Sequence, residues 1–258
     1  MIKELFENHK PLMSAGAISI LCFVILAIVS LFDSTQILGI NRWIKPMKFF
    51  ISVAIFVWTV AIYLNFLKGY KKSAFVISWG MIFIFLLENF IVVMQSARGT
   101  TSHFNVANAF DGLLFAFMGV LITLNTLLAV YLLFLYFKAE IDLPKSIIWG
   151  MRLGLILFLL ASFEGGFMSA QMAHSIGVKD GGAGLPMVNW STKGGDLRVA
   201  HFIGMHAFQA VPFFAYTLEK YNVKSSTLWT FIFALVYFAI FTGVFVQALL
   251  GKPLFAGF

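Results

Sequence analysis

Seven stretches of about twenty residues carrying few charges divide this chain between them, and that spacing narrows the folds open to it. A helix rising 1.5 Å per residue needs about 20 apolar residues to cross a hydrocarbon layer of roughly 30 Å. The runs lie near Met13–Phe32, Pro46–Leu67, Ser73–Gln95, Ala109–Phe137, Ile147–Gln171, Val199–Leu218 and Leu228–Leu250. Of 258 residues, 60% are hydrophobic and 11% charged, leaving more apolar surface than one soluble core can hide. The expectation is an all-α polytopic membrane bundle of seven transmembrane helices, with residues 1–258 forming a single integral-membrane domain in the lipid bilayer. The first run follows Lys3, Glu4, Glu7 and Lys10, as a secretory signal would, but its length and missing small-residue cleavage site point to a retained anchor. Cys22, the one cysteine, lies inside that run, so intrachain disulfides and thiolate metal clusters are excluded.

The net charge of +7 does not signal nucleic acid, because the basic residues are scattered among the loops and act as topology signals. Seven spans place ten of them on the amino-terminal side and eight, including Arg42, Lys45, Lys48, Arg98 and Arg198, on the other. The 27-residue segment Met172–Arg198 is long enough to weaken the charge rule there. The amino terminus is therefore expected in the cytoplasm and the carboxy terminus outside, as in a bacterial inner membrane. Within that long segment, GVKDGGAGLP and NWSTKGGD supply turn residues for either a lid or a solvated connector. The glycines follow no strand and lack dinucleotide-binding spacing.

One polar pattern occurs twice. HFNVANAFD (His103–Asp111) aligns with HFIGMHAFQ (His201–Gln209) at an offset of 98, while Glu88, Gln95 and Arg98 align with Glu164, Gln171 and His174 at an offset of 76. The difference, 98 − 76 = 22, is a loop insertion. Spans three and four would then form one hairpin and spans five and six its parallel copy.

Depth along the spans sorts these residues into two layers. Gln95 lies seven residues beyond Glu88, on nearly the same helix face and about 10 Å nearer the outer surface. Gln171 stands likewise to Glu164. The outer layer holds Gln95, Arg98, His103, Gln171, His174, Arg198 and His201, and the deeper one Glu88, Asn108, Asp111, Glu164, His206 and Gln209. On the sixth span His206 is about 140° around the helix from His201, so the two serve different layers.

Ionisable groups in hydrocarbon are turned inward, paired or functional. The leading reading is a small membrane enzyme or electron-transfer protein. Its divalent transition metal would be held by Glu88, Asp111, Glu164 and His206, or its haem would be ligated by His103 and His201 with Arg98 and Arg198 toward the propionates. Glu88 or Glu164 would act as general base, and a quinone, lipid or small molecule would be the substrate. His201 and His206 are five apart and lack zincin spacing, and no glycine-flanked serine nucleophile stands out. The alternatives are a proton-coupled carrier of a small solute, or a polar network that only locks hairpins together. Phe104 and Phe202 beside the paired histidines suit packing or the wall of a ligand site, and Gly150, Gly154 and Gly204 offer close helix approach.

Overall fold

The computed structural model describes residues 2–182 and 184–256. Among them are eight helices, joined by short connections except between the sixth and seventh: α1 (Ile2–Asn8), α2 (Lys10–Phe32), α3 (Ile44–Asn65), α4 (Lys71–Ala97), α5 (Ala109–Lys138), α6 (Lys145–Gln171), α7 (Leu197–Lys220) and α8 (Ser226–Leu249). Two small antiparallel ribbons interrupt them, β1 (Gln36–Ile37) with β2 (Ile40–Asn41), and β3 (Ser175–Ile176) with β4 (Gly195–Asp196). Six helices, α2 to α6 and α8, are long and apolar enough to cross a membrane. The 24-residue α7 is not among them, because it carries Arg198, His201, His206, Gln209, Glu219 and Lys220.

These helices invert the pattern of a soluble amphipathic helix. Along α4, Ile77, Met81, Ile84, Glu88, Ile91 and Gln95 are buried at helical spacing, while Trp79, Phe83, Leu86 and Phe90 are exposed. A helix with acidic and amide groups inward and phenylalanine outward suits hydrocarbon, where an outward polar group would find no partner.

The chain divides into two compact units, Met1–Leu128 and Ala129–Phe258. In the first, α2 packs along α3 with Gly16 against the Trp58 indole, whose Nε1 donates to the Met13 carbonyl at 3.1 Å. Leu26, Trp43 and Met47 form one core cluster, and Ile91, Val92 and Met118 a second. The tight β1–β2 turn uses Leu38 (φ 51°) and Gly39 (φ 79°), both left-handed.

In the second unit α6 and α7 are the most intimate pair. A Cβ at Gly150 would lie 2.8 Å from Ala215 Cβ, and one at Gly204 only 2.5 Å from Ala161 Cβ and 2.8 Å from the Phe241 ring. Small residues bring the two backbones together because a side chain has no room between them. α8 closes this unit through Phe241, and the Tyr237 hydroxyl donates to the Ile203 carbonyl at 2.7 Å. The long α6–α7 connection is folded: β4 presses Gly195 onto the Ala248 carbonyl at the end of α8. Asp196 caps α7 by accepting from the Arg198 amide at 3.0 Å.

Gly204→Val is expected to destabilise the protein by about 1–3 kcal/mol through overpacking, read as a lower thermal midpoint in detergent. Gly243→Ala, where nothing lies within 4 Å of the new Cβ, should leave the midpoint unchanged or slightly higher.

Candidate functional site

The polar residues of the first unit gather at the ends of α4 and α5. Asn108 caps α5, its Oδ1 accepting from the Asp111 amide at 2.9 Å while its Nδ2 donates to Asp111 Oδ2 at 2.7 Å. This reciprocal cap fixes the Asp111 carboxylate, which also accepts from Gln95 Nε2 at 2.8 Å and Arg98 Nη1 at 2.5 Å. Arg98 donates to Gln95 Oε1 as well and stacks 4.9 Å over Phe110. Asp111 and Gln95 are buried and mutually satisfied, a closed network of the kind that holds helix ends together. His103 lies in the loop before α5 among Phe49, Phe104 and Phe115, with its Nδ1 3.1 Å from the Ser102 hydroxyl. Glu88 lies deeper, 4% exposed, and its Oε1 has no hydrogen-bond partner among the described residues. Lys45, in the first turn of α3, acts on it electrostatically.

A second cluster in this unit escapes the sequence reading. Asp33, just past α2, accepts from the Thr35 amide at 3.0 Å, Trp43 Nε1 at 2.8 Å and Arg42 Nε at 2.7 Å. The Thr35 contacts foremost, then Trp43 and Arg42, hold its carboxyl well below the usual carboxylate range. Arg42 also reaches the Ala97 carbonyl at 3.1 Å, tying this turn to the end of α4. The available signal was an acidic residue directly after an apolar run and a tight turn before the next.

In the second unit Glu164 is buried on α6, and neither of its oxygens has a well-formed hydrogen bond among the described residues. Its close polar neighbour is His201 on α7, whose Nδ1 lies 3.2 Å from Glu164 Oε2 and 3.0 Å from the Ala161 carbonyl. A carbonyl oxygen can only accept, so Nδ1 bears the proton and Nε2 is the basic nitrogen. Gly165 makes room for the ring, because a Cβ there would stand 2.8 Å from His201 Cε1. One turn on, His206 packs against Phe202 at 4.4 Å between ring centroids and has Gln209 as side-chain partner. Phe202 in turn meets Trp190.

Glu164 also lines an open cleft of about 310 Å³ between α6 and α8, otherwise walled by Leu160 and five phenylalanines. Arg198 is taken up locally, donating to Asp196 at 2.9 and 2.6 Å and to the Asn189 carbonyl. In the α6–α7 connection, His174 Nδ1 lies 2.7 Å from Asp180 Oδ2. Burial pushes the Asp180 carboxyl up, but His174 and the Ser175 amide outweigh it and hold the group well below the ordinary range.

The candidate residues thus divide between the units: Glu88, Arg98, His103 and Asp111 in one, Glu164, Arg198, His201 and His206 in the other. Direct contact joins Arg98 to Asp111 and Glu164 to His201. Each unit supplies two of the four candidate metal ligands, and among the described residues no three His, Cys, Asp or Glu side chains gather closely enough to hold a metal ion. The two histidines aligned by the repeat stand in unlike settings, His103 in a loop and His201 inside a helix, whereas Glu88 and Glu164 are both buried in the second halves of their helices. No protein-family model, curated protein or solved structure matches this chain.

Asp180→Asn should lower stability at neutral pH by about 1–3 kcal/mol, since the carboxylate accepts from the His174 and Ser175 amides and meets His174 Nδ1, and an amide side chain cannot accept at both ends. The folded-state value of Asp180 is depressed, so its contribution is present above the ordinary aspartate value of about 3.9 and is lost as pH falls below it. Thermal midpoints of variant and wild type should converge on acidification.

Proposed function

We propose that this protein is a membrane carrier in which proton exchange at Glu164 and His201 drives the movement of a solute. The observation behind this reading is the Glu164 carboxyl, buried in a membrane-compatible helix with no well-formed hydrogen bond and one imidazole beside it. An intramembrane acid placed this way marks a proton or solute path more readily than a structural tie. A structural tie looks like Asp111, which has Gln95, Arg98 and Asn108 as partners.

The chemistry follows from the tautomer. His201 Nε2 takes up a proton, and the Nδ1 proton passes along the 3.2 Å contact to Glu164 Oε2. The carboxylate becomes a neutral acid and the imidazole is again neutral, so one proton has moved inward by one residue. The ring then returns to the Nδ1–H form that the Ala161 carbonyl favours.

This reading includes α7 as a seventh span, since it is as long as α8 and packs between helices of spanning length. With seven spans and a cytoplasmic amino terminus, as in a bacterial inner membrane, His201 lies toward the outer surface. The duplication is retained as a correspondence of α4 with α6, each carrying a buried glutamate seven residues before a glutamine. The metal reading has less support, because among the described residues no three His, Cys, Asp or Glu side chains gather to hold an ion.

Infrared difference spectra of the purified protein across a pH step should contain a protonated-carboxyl band that disappears in Glu164→Gln and titrates differently in His201→Asn. A band untouched by either substitution would refute proton exchange at this pair. Stoichiometric metal in protein from its own host, lost in Glu164→Gln, would favour the metal reading instead.

A further inference from the structure

We infer that the solute is a lipophilic organic cation, held in the cleft between α6 and α8 with its charge against Glu164 and its hydrocarbon against the phenylalanine wall. This inference rests on the proton-exchange reading of the same carboxyl. Three features of the cleft carry it. First, Glu164 is 6% exposed, lines the cleft, and has both oxygens without a well-formed hydrogen bond among the described residues. An ionised carboxyl is an acceptor only, so the group that satisfies it is a donor or a cation.

Second, the rest of the wall is aromatic. Phe163 and Phe167 face it from α6, and Phe238, Phe241 and Phe245 from α8. Phe167 meets Phe245 edge-on at 6.3 Å between centroids, and Phe241 stacks with Phe245 at 6.5 Å. Ring faces attract alkylated ammonium groups through their quadrupole, and they solvate the hydrocarbon part of the same molecule. A fatty acyl chain would fill the space and leave the carboxyl unanswered. An anion would be repelled by it.

Third, the basic side chain beside the carboxyl among the described residues is His201, its proton partner, and no lysine or arginine lines the cleft. The charged groups that act on Glu164 are His201 and Asp196, at α7 and its cap. Asp196 is already paired with Arg198, and the α8 side of the cleft contributes phenylalanine alone. The volume of about 310 Å³ lies at the small end of ligand sites, which run from about 300 to 1,000 Å³. Phe163 and Phe167 are exposed, 71% and 43%, so the cleft opens at the apolar surface of the helices, where a molecule dissolved in lipid arrives. Proton and cation then occupy one carboxyl alternately: as the cation arrives, the His201 ring in its Nε2–H form takes the Glu164 proton on Nδ1 and releases the Nε2 proton, and reprotonation of Glu164 releases the cation.

The test is equilibrium dialysis of the detergent-purified full chain against tetraphenylphosphonium, with neutral triphenylphosphine oxide as comparison. Expected are saturable binding at one site per chain, weakening as pH falls, and a loss of about tenfold or more in Glu164→Gln, equivalent to about 1.4 kcal/mol. Phe163→Leu, at an exposed position that the core does not use, should weaken binding several-fold and keeps the test open if the glutamine variant fails to fold. Absence of saturable binding, equal binding by Glu164→Gln, or equal affinity for the neutral compound would overturn the inference. The infrared carboxyl band separates the two readings: if it titrates while the cation fails to bind, proton exchange stands and the solute is of another class.

Discussion

Helices that turn leucine and phenylalanine toward hydrocarbon must find partners for their polar side chains among themselves, because the surroundings supply none. That constraint explains why α4 buries Glu88 and Gln95 and exposes Phe83 and Phe90. It also explains the concentration of ion pairs at helix ends and connections, where Asp33, Asp111, Asp180 and Asp196 each find a basic partner nearby. Such pairs join loop to helix: Arg42 holds a turn against the end of α4, and Arg198 holds the α6–α7 connection against its own helix cap. Against this background of satisfied carboxylates, Glu88 Oε1 and both Glu164 oxygens stand out, and Glu164, with an imidazole beside it, gives the second unit its chemical character.

The exception depends on close backbone packing. Ala161 and Gly165 on α6, with Gly204 on α7, let the helices approach until the His201 ring lies over α6 and its Nδ1 reaches the Ala161 carbonyl. A larger residue at Gly165 would occupy the place of the ring. The same closeness leaves Glu164 directed between α6 and α8, where the side chains on offer are aromatic. Tight packing on one side and a phenylalanine wall on the other therefore produce an acid with an imidazole neighbour and an apolar cleft.

The helices themselves were legible. Each apolar run expected from the sequence coincides with a helix to within three residues at either end, from Lys10–Phe32 to Ser226–Leu249, because hydrocarbon-compatible length is a property of the local sequence. The close approach at Gly150 and Gly204 was also visible in residue size. The polar positions were picked out, but their partners were not. Depth along a helix put Asp111 and Glu88 in one layer, yet the Asn108 cap turns Asp111 toward Gln95 and Arg98 at the helix ends. Asp33 was overlooked because its Arg42 and Trp43 donors reach it only when the chain folds back through the β1–β2 turn.

Sequence alone determined that the chain builds long apolar helices and that a few acids and histidines lie within them, since composition and spacing act locally. Tertiary structure decided which of the buried acids has an imidazole beside it. Glu88 and Glu164 read alike in sequence, and the two aligned histidines read alike as well. The difference arises because α7 begins before His201 and carries it, in helical geometry, onto the glycine-lined face of α6, while His103 remains in a loop among aromatic rings. A contact of 3.2 Å depends on helix phase and backbone separation, and those are set by the packing of distant segments.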